Sequence, residues 1–246
     1  RTKEAVAPEL PPRTEEIIHV DMTPEQRAAY DRELLRAREL VQSRGPIELL
    51  AALTRLRQIC CDAALLNPTL TDASSAKLTT LTDMLRELAD EGHSALVFSQ
   101  FTTMLERIRV ALEQAGLQTL TLTGKTPTAQ RAERVREFNE ADKPVIFLLS
   151  LRAAGTGLTL TRADYVFIFD PWWNPAVERQ AIDRTHRIGQ EKPVFAYRLV
   201  ANDSVEEKVL RLQQEKATLF AEVMGEAETR DVAERLTAED LRLLLA

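Results

Sequence analysis

Two wholly apolar runs, Val145–Leu149 and Tyr165–Phe169, constrain this chain more than any other feature. Each has the length of a strand, ends in a polar turn and shows no alternation of polar and apolar residues. A strand of that kind has both faces covered, which is the condition inside a parallel sheet flanked by helices. Ser150 and a loop with Gly155 and Gly157 follow the first run. Asp170 and Pro-Trp-Trp-Asn-Pro follow the second, and then a helical pattern bearing Gln180, Arg184 and Arg187. Open α/β sheets bind ligands beyond the carboxyl ends of their strands, so the site is expected in these turns.

The remaining pattern agrees with an α/β fold. Strands are predicted at Ala95–Ser99, Gln118–Leu122 and Val194–Val200, with helices over Ser75–Glu91, Thr102–Ala115, the stretch from Pro127 to Asn139, and Ser204 to about Phe220. Such alternation implies right-handed crossovers and a parallel sheet with helices on both faces. The first seventy or so residues differ. After an extended stretch to Pro12 and a short strand, Glu16–Asp21, Thr23 caps a helix with Pro24 in its first turn. A second helix repeats apolar residues at Leu49, Leu50, Leu53, Leu56, Ile59 and Cys60, the spacing of one helical face. A last amphipathic helix covers Ala238–Leu245. These features divide the chain into a connector (1–22), a helical hairpin (23–73), an α/β lobe (74–223) and a tail helix (224–246).

The net charge of −6 excludes a protein that coats nucleic acid by bulk electrostatics, although a local basic stripe remains compatible with it. No apolar run reaches the length of a membrane span and no secretory signal opens the chain, so no membrane partner is expected. The chain starts at Arg1 rather than Met, which reads as a piece of a longer protein. Cys60 and Cys61 are adjacent in a helical pattern and suit a reducing cytoplasm or nucleus. Three scattered histidines, His19, His93 and His186, suggest no metal site.

Gly124-Lys125-Thr126 imitates the end of a phosphate-cradling loop, but the glycine required five residues earlier is Thr119. Without that loop, Asp170 at the end of its strand does not read as a metal-binding aspartate. The segment after Asn174-Pro175 says more. Asn174 and Pro175 suit a helix start and Gly189 suits its end, which puts Gln180, Arg184 and Arg187 on one stripe. Two arginines late in a helix can simply offset its dipole. Placed after a buried strand and an aromatic turn, their guanidinium forks also match pairs of phosphate oxygens. Trp172 and Trp173 read as a packed corner or as a ring that stacks on a base.

Together these residues resemble the Swi/Snf form of superfamily-two helicases. Gln180-Ala-Ile-Asp-Arg-Thr-His-Arg-Ile-Gly-Gln190 resembles its motif VI, and LLSLRAAGTGLTLTRAD with FDPWWNPA resembles motif V and its extension. Leu96–Phe101 resembles motif IV, Leu122–Thr126 with Arg131 the following turn, and LRQICCDAALL (Leu56–Leu66) the family's Leu-Arg-Gln-Ile-Cys segment. Ala154 stands where the family often has Gly, and Thr159 where it often has Asn. The resemblance implies the second RecA-like lobe of a motor that uses ATP with Mg2+, the metal and phosphates being held mainly by a first lobe of the same polypeptide. It implies that Arg184 and Arg187 are arginine fingers and that Gln180, Gly155 and Gly157 line the nucleotide cleft. Ser99, Gln100, Ser150, Thr159 and Trp173 would face double-stranded DNA, and residues Thr23–Asp62 would form the lobe's protrusion. The expected activity is that of a DNA translocase acting against DNA-bound proteins, in a bacterial nucleoid or a nucleus, with this lobe inactive alone. A non-catalytic protein-interaction scaffold and an RNA-directed helicase lobe are the competing readings.

Overall fold

The structure is a computed structural model that describes residues 10–41, 45–70, 75–154, 157–173, 175–224 and 238–245. In chain order its elements are β1 (Arg13–Val20), α1 (Pro24–Val41), α2 (Pro46–Cys61), a 3-10 turn (Ala63–Leu65), α3 (Ala76–Asp90) and β2 (Ala95–Ser99). Then come α4 (Thr102–Gln114), β3 (Thr119–Leu122), α5 (Thr128–Asn139), β4 (Ile146–Ser150) and the single turn α6 (Leu151–Ala154). They are followed by β5 (Tyr165–Ile168), α7 (Pro175–Ile182), β6 (Val194–Ala201), α8 (Val205–Met224) and α9 (Ala238–Leu245). Among the described residues no helix is long and apolar enough to cross a membrane.

The chain divides into two compact units. The first comprises residues 1–18, 80–169 and 177–199, and the second residues 19–79, 170–176 and 200–246. The six strands run in the order β1-β6-β5-β2-β4-β3, and β2 pairs parallel with both β4 and β5. Strands β2 and β4 are buried at every position, as expected of uninterrupted apolar runs. The register sets Ser99 beside Ser150, so the last residues of these two strands share one edge of the sheet. Helix α4 ends in a left-handed Gly116 (φ 79), with the Leu117 amide on the Leu112 carbonyl at 2.9 Å, and the chain turns back into β3.

The second unit has its own core. Leu49, Leu53, Leu56, Ile59 and Cys60 of α2 pack with Tyr30 and Ala37 of α1, Val205 and Val209 of α8, and Leu241, Leu244 and Leu245 of α9. Leu50, expected on the same face, is instead 41% exposed. Thr23 caps α1 as expected, accepting from the Gln26 amide at 3.1 Å. Helix α2 stops at Cys61. Asp62 is extended there, and its carboxylate accepts from the Ala64 amide at 2.8 Å, which starts the 3-10 turn.

Several buried groups in this unit hold their protons more tightly than usual. Burial lifts the Cys60 and Cys61 thiols above the ordinary 9.0, and lifts the Tyr30 phenol above 10.0. For Lys77 burial acts to lower the pKa, but the Glu206 carboxylate outweighs it and the net direction is up. In each case the native state binds more protons than the unfolded chain at alkaline pH. The stabilising contribution is complete below the unfolded values, starting with 9.0 for the thiols, and is lost as pH rises beyond them. Urea unfolding titrations should therefore give a stability that is flat up to about pH 8 and falls from about pH 9 to 11. A stability that rises over that interval would contradict the buried, protonated thiols.

Candidate functional site

Helix α7 was expected to run to Gly189 and to carry Gln180, Arg184 and Arg187 as one stripe. It ends at Ile182, and Gln180 is exposed near its end. Beyond Ile182 the bonding tightens, although the His186 amide still reaches the Ile182 carbonyl at 3.3 Å. The Thr185 hydroxyl donates to the Ile182 carbonyl at 2.7 Å, and the Arg184 and Thr185 amides bond three residues back, to Ala181 and Ile182. Residues 183–189 therefore form tight turns, closing at Gly189 with φ 100. The two arginines sit on these turns, past the helix. Glu178 anchors α7 from the other side: buried completely, it accepts from Arg198 Nε on β6 at 2.8 Å, while Arg198 also meets Glu15 at 2.8 Å.

The stretch after Gly157 rises to meet these turns. The Leu160 amide donates to the Arg184 carbonyl at 3.0 Å, and Arg187 Nη1 donates to the Thr159 hydroxyl at 3.2 Å. The Asn139 side-chain amide holds the Thr159 carbonyl at 3.0 Å. Gln190, 6% exposed, donates from Nε2 to the carbonyls of Ala163 (2.9 Å), Thr161 (3.0 Å) and Thr185 (3.3 Å). Its Oε1 accepts from the Lys192 amide at 2.9 Å. These residues precede β4, β5 and β6, so the arginine turns lie at the amino-terminal edge of the sheet, whereas the carboxyl edge was expected. A cavity of about 320 Å³ opens at this edge, lined in part by Ser94, Asn139, Thr161, Gln190 and Lys192. Nearby, His93 Nδ1 lies 2.6 Å from the buried Asp164 carboxylate, which also faces Lys192 at 3.5 Å.

The electrostatics of the pair are unusual. Asp183, next to Arg184 in the sequence, is turned to Arg13 at 3.1 Å. Among the described residues neither Arg184 nor Arg187 forms an ion pair, and Arg184 Nε is buried without a hydrogen-bond partner. Burial and the like charge of Arg187 hold the Arg184 pKa below the ordinary guanidinium range, with Asp183 partly offsetting them. A guanidinium stays charged regardless. Two adjacent cations with no ion-paired carboxylate among the described residues, one of them partly desolvated, form a site suited to an anion with several oxygens.

The other expected site residues separate into groups. Ser99 and Ser150 lie side by side at the carboxyl edge, both buried, and their hydroxyls accept from the Phe101 amide (3.1 Å) and the Ala153 amide (3.3 Å). Gln100 is half-buried beside them. Thr159, expected with the two serines, is found with Arg187. Gly157 has φ 66 and open space around it, so its requirement for glycine is conformational. Gly155 and Asn174 lie outside the described residues. Trp173 belongs to the second unit, half-buried, with the Arg57 guanidinium 4.8 Å from its ring centre and 6.0 Å from that of Trp172. Arg57 is itself buried, donates to the Pro171 carbonyl and lies 3.9 Å from Asp170. Neither Arg57 nor Gln190 was given a role from the sequence. Gln190 carries no local signal, since its partners are backbone carbonyls of a distant stretch.

Residues 76–189 match the helicase conserved C-terminal domain, and residues 1–65 match the SNF2-related domain. A Mycoplasma pneumoniae protein called an uncharacterized ATP-dependent helicase is 32% identical over 98% of this chain and 23% of its own length. The human SWI/SNF-related matrix-associated actin-dependent regulator of chromatin subfamily A member 1 is 34% identical over 94% of this chain and 24% of its own length. The chain thus spans about a quarter of these relatives. Among solved structures, the Sulfolobus solfataricus SWI2/SNF2 ATPase C-terminal domain superposes with a TM-score of 0.74 at 28% identity, over 94% of this chain and 97% of that one. The core of the Sulfolobus ATPase in complex with double-stranded DNA gives 0.76 at 30% identity, over 98% and 52%.

Proposed function

Because this chain belongs to the Swi/Snf family of superfamily-two helicase-like ATPases, as its C-terminal RecA-like lobe, we propose that it forms one wall of a composite ATP site and part of a track for duplex DNA. One observation carries the reading: Arg184 and Arg187 are neighbouring guanidiniums with no ion pair among the described residues, held over a hydrogen-bonded turn. They fit the phosphate end of ATP. Mg2+ is assigned, with the phosphates, to the opposite wall.

On this reading Arg184 and Arg187 act as fingers that gain charge-assisted bonds only when a first RecA-like lobe, expected in the same polypeptide, presents the γ-phosphate. Gln180 and Gly157 border the cleft. The carboxyl-edge turn with Ser99, Gln100 and Ser150 follows the DNA. The two serines shape their turns, since their hydroxyls already accept backbone amides. ATP supplies the free energy of closure through its terminal phosphate, and loss of that phosphate lets the wall retreat. Each cycle then advances the motor along duplex DNA, against proteins bound there.

The test is turnover by the isolated chain beside the full-length protein. The isolated chain should hydrolyse ATP at background rate with or without duplex DNA, because half of the site is missing. The full-length protein should be stimulated by duplex DNA. Robust hydrolysis by a clean preparation of the chain alone defeats the composite site, and stronger stimulation by RNA than by duplex DNA assigns the track to RNA.

A further inference from the structure

We propose that Gln190 is a positioning residue for the turn that carries Arg187, fixing the backbone from which that arginine reaches; this rests on the composite-site reading. Arg187 is exposed, and among the described residues its guanidinium has one hydrogen bond, at 3.2 Å, to the exposed Thr159 hydroxyl. Its head is therefore steered weakly, and its placement depends on the main chain beneath it. That main chain is clamped by one side chain. Gln190 Nε2 reaches the Thr185 carbonyl within the turn and the Thr161 and Ala163 carbonyls in the stretch before β5. Through Oε1 it also holds the Lys192 amide at the entry to β6. One buried amide thus joins three backbone segments. The Leu160–Arg184 backbone bond at 3.0 Å joins two of the same segments beside it. A side chain with one polar end of a single kind cannot replace it, because the clamp needs donors on one side and an acceptor on the other.

A displacement of about 1 Å at a group that must meet a transferring phosphate costs on the order of a hundredfold in rate. The experiment measures steady-state and single-turnover ATP hydrolysis by the full-length protein carrying Gln190→Met, Gln190→Glu, Arg187→Ala, and Gln190→Met combined with Arg187→Ala. Met keeps the length and removes every hydrogen bond. Glu keeps the acceptor for Lys192 and removes both donors. The expected result is a kcat lowered about 10- to 100-fold in both Gln190 variants, with KM for ATP within about threefold of the parent. Combined with Arg187→Ala, Gln190→Met should add no further loss, because its effect passes through that arginine. A group with a purely architectural role would lower the melting temperature without this dependence on Arg187.

Parent-like kcat in both Gln190 variants, beside a damaged Arg187→Ala, overturns the inference and leaves the composite site standing. Losses that multiply in the double variant overturn it as well. If Gln190→Met does not fold, Gln190→Glu decides. If neither folds, the residue is structural support and the inference fails. Parent-like kcat in Arg187→Ala instead removes the composite site, and this inference with it.

Discussion

Arg187→Ala in the full-length protein should reduce DNA-stimulated ATP turnover about a thousandfold or more, while nucleotide binding changes little. The reduction corresponds to roughly 4 kcal/mol or more of lost transition-state stabilisation, the usual contribution of an arginine finger. The geometry explains why binding should survive. Arg187 is exposed on its turn and has no carboxylate to release, so alanine leaves no buried charge behind. Arg184→Ala should also be severe but less clean, because that side chain is partly desolvated. The measurement is a pair of titrations: turnover against duplex DNA, and binding of a fluorescent ATP analogue. Near-parent turnover in Arg187→Ala would remove the finger assignment, and equal loss of binding and turnover would make Arg187 a general anchor for nucleotide.

The second large effect concerns stability. Lys77 and Glu206 are 1% and 0% exposed, with Nζ and Oε2 2.5 Å apart, and the same oxygen accepts from the Ala201 amide at 2.9 Å. Lys77→Met should cost about 3–5 kcal/mol, because it leaves the carboxylate buried and uncompensated. Lys77→Met with Glu206→Gln should recover most of that loss, since the amide oxygen still serves Ala201 and no charge is buried. A urea double-mutant cycle reads the coupling directly. If the single variant is as stable as the parent, the pair contributes nothing and the buried-charge argument fails.

The sequence shows the sheet clearly because β2, β4 and β5 are covered on both faces, and uninterrupted apolar runs as short as Ile146–Leu149 suit a buried parallel strand better than an amphipathic helix. The helices were readable wherever a cap residue acts on its own helix, as Thr23 does for α1. Two features were hidden. The end of α7 is marked by bonds three residues back from the Arg184 and Thr185 amides, with the Thr185 hydroxyl sharing the Ile182 carbonyl, and a helical spacing of Gln180, Arg184 and Arg187 looks the same with or without them. The edge on which the arginines lie depends on where the chain crosses after Gly157. Motif order places Thr159 near Ser150, whereas the hydrogen bonds place it under Arg187. Gln190 and Arg57 escaped notice for a related reason: each acts on backbone carbonyls remote in sequence, which no periodicity reports.

The chain's two tryptophans flank a single guanidinium, that of Arg57, in the second unit. Its ultraviolet emission therefore originates in one corner rather than as an average over the molecule. Melting of that corner should redden the emission as the indoles meet water, whereas far-ultraviolet ellipticity counts helices throughout the chain. Comparing the two transitions would show whether the units melt together or in sequence, with no label attached.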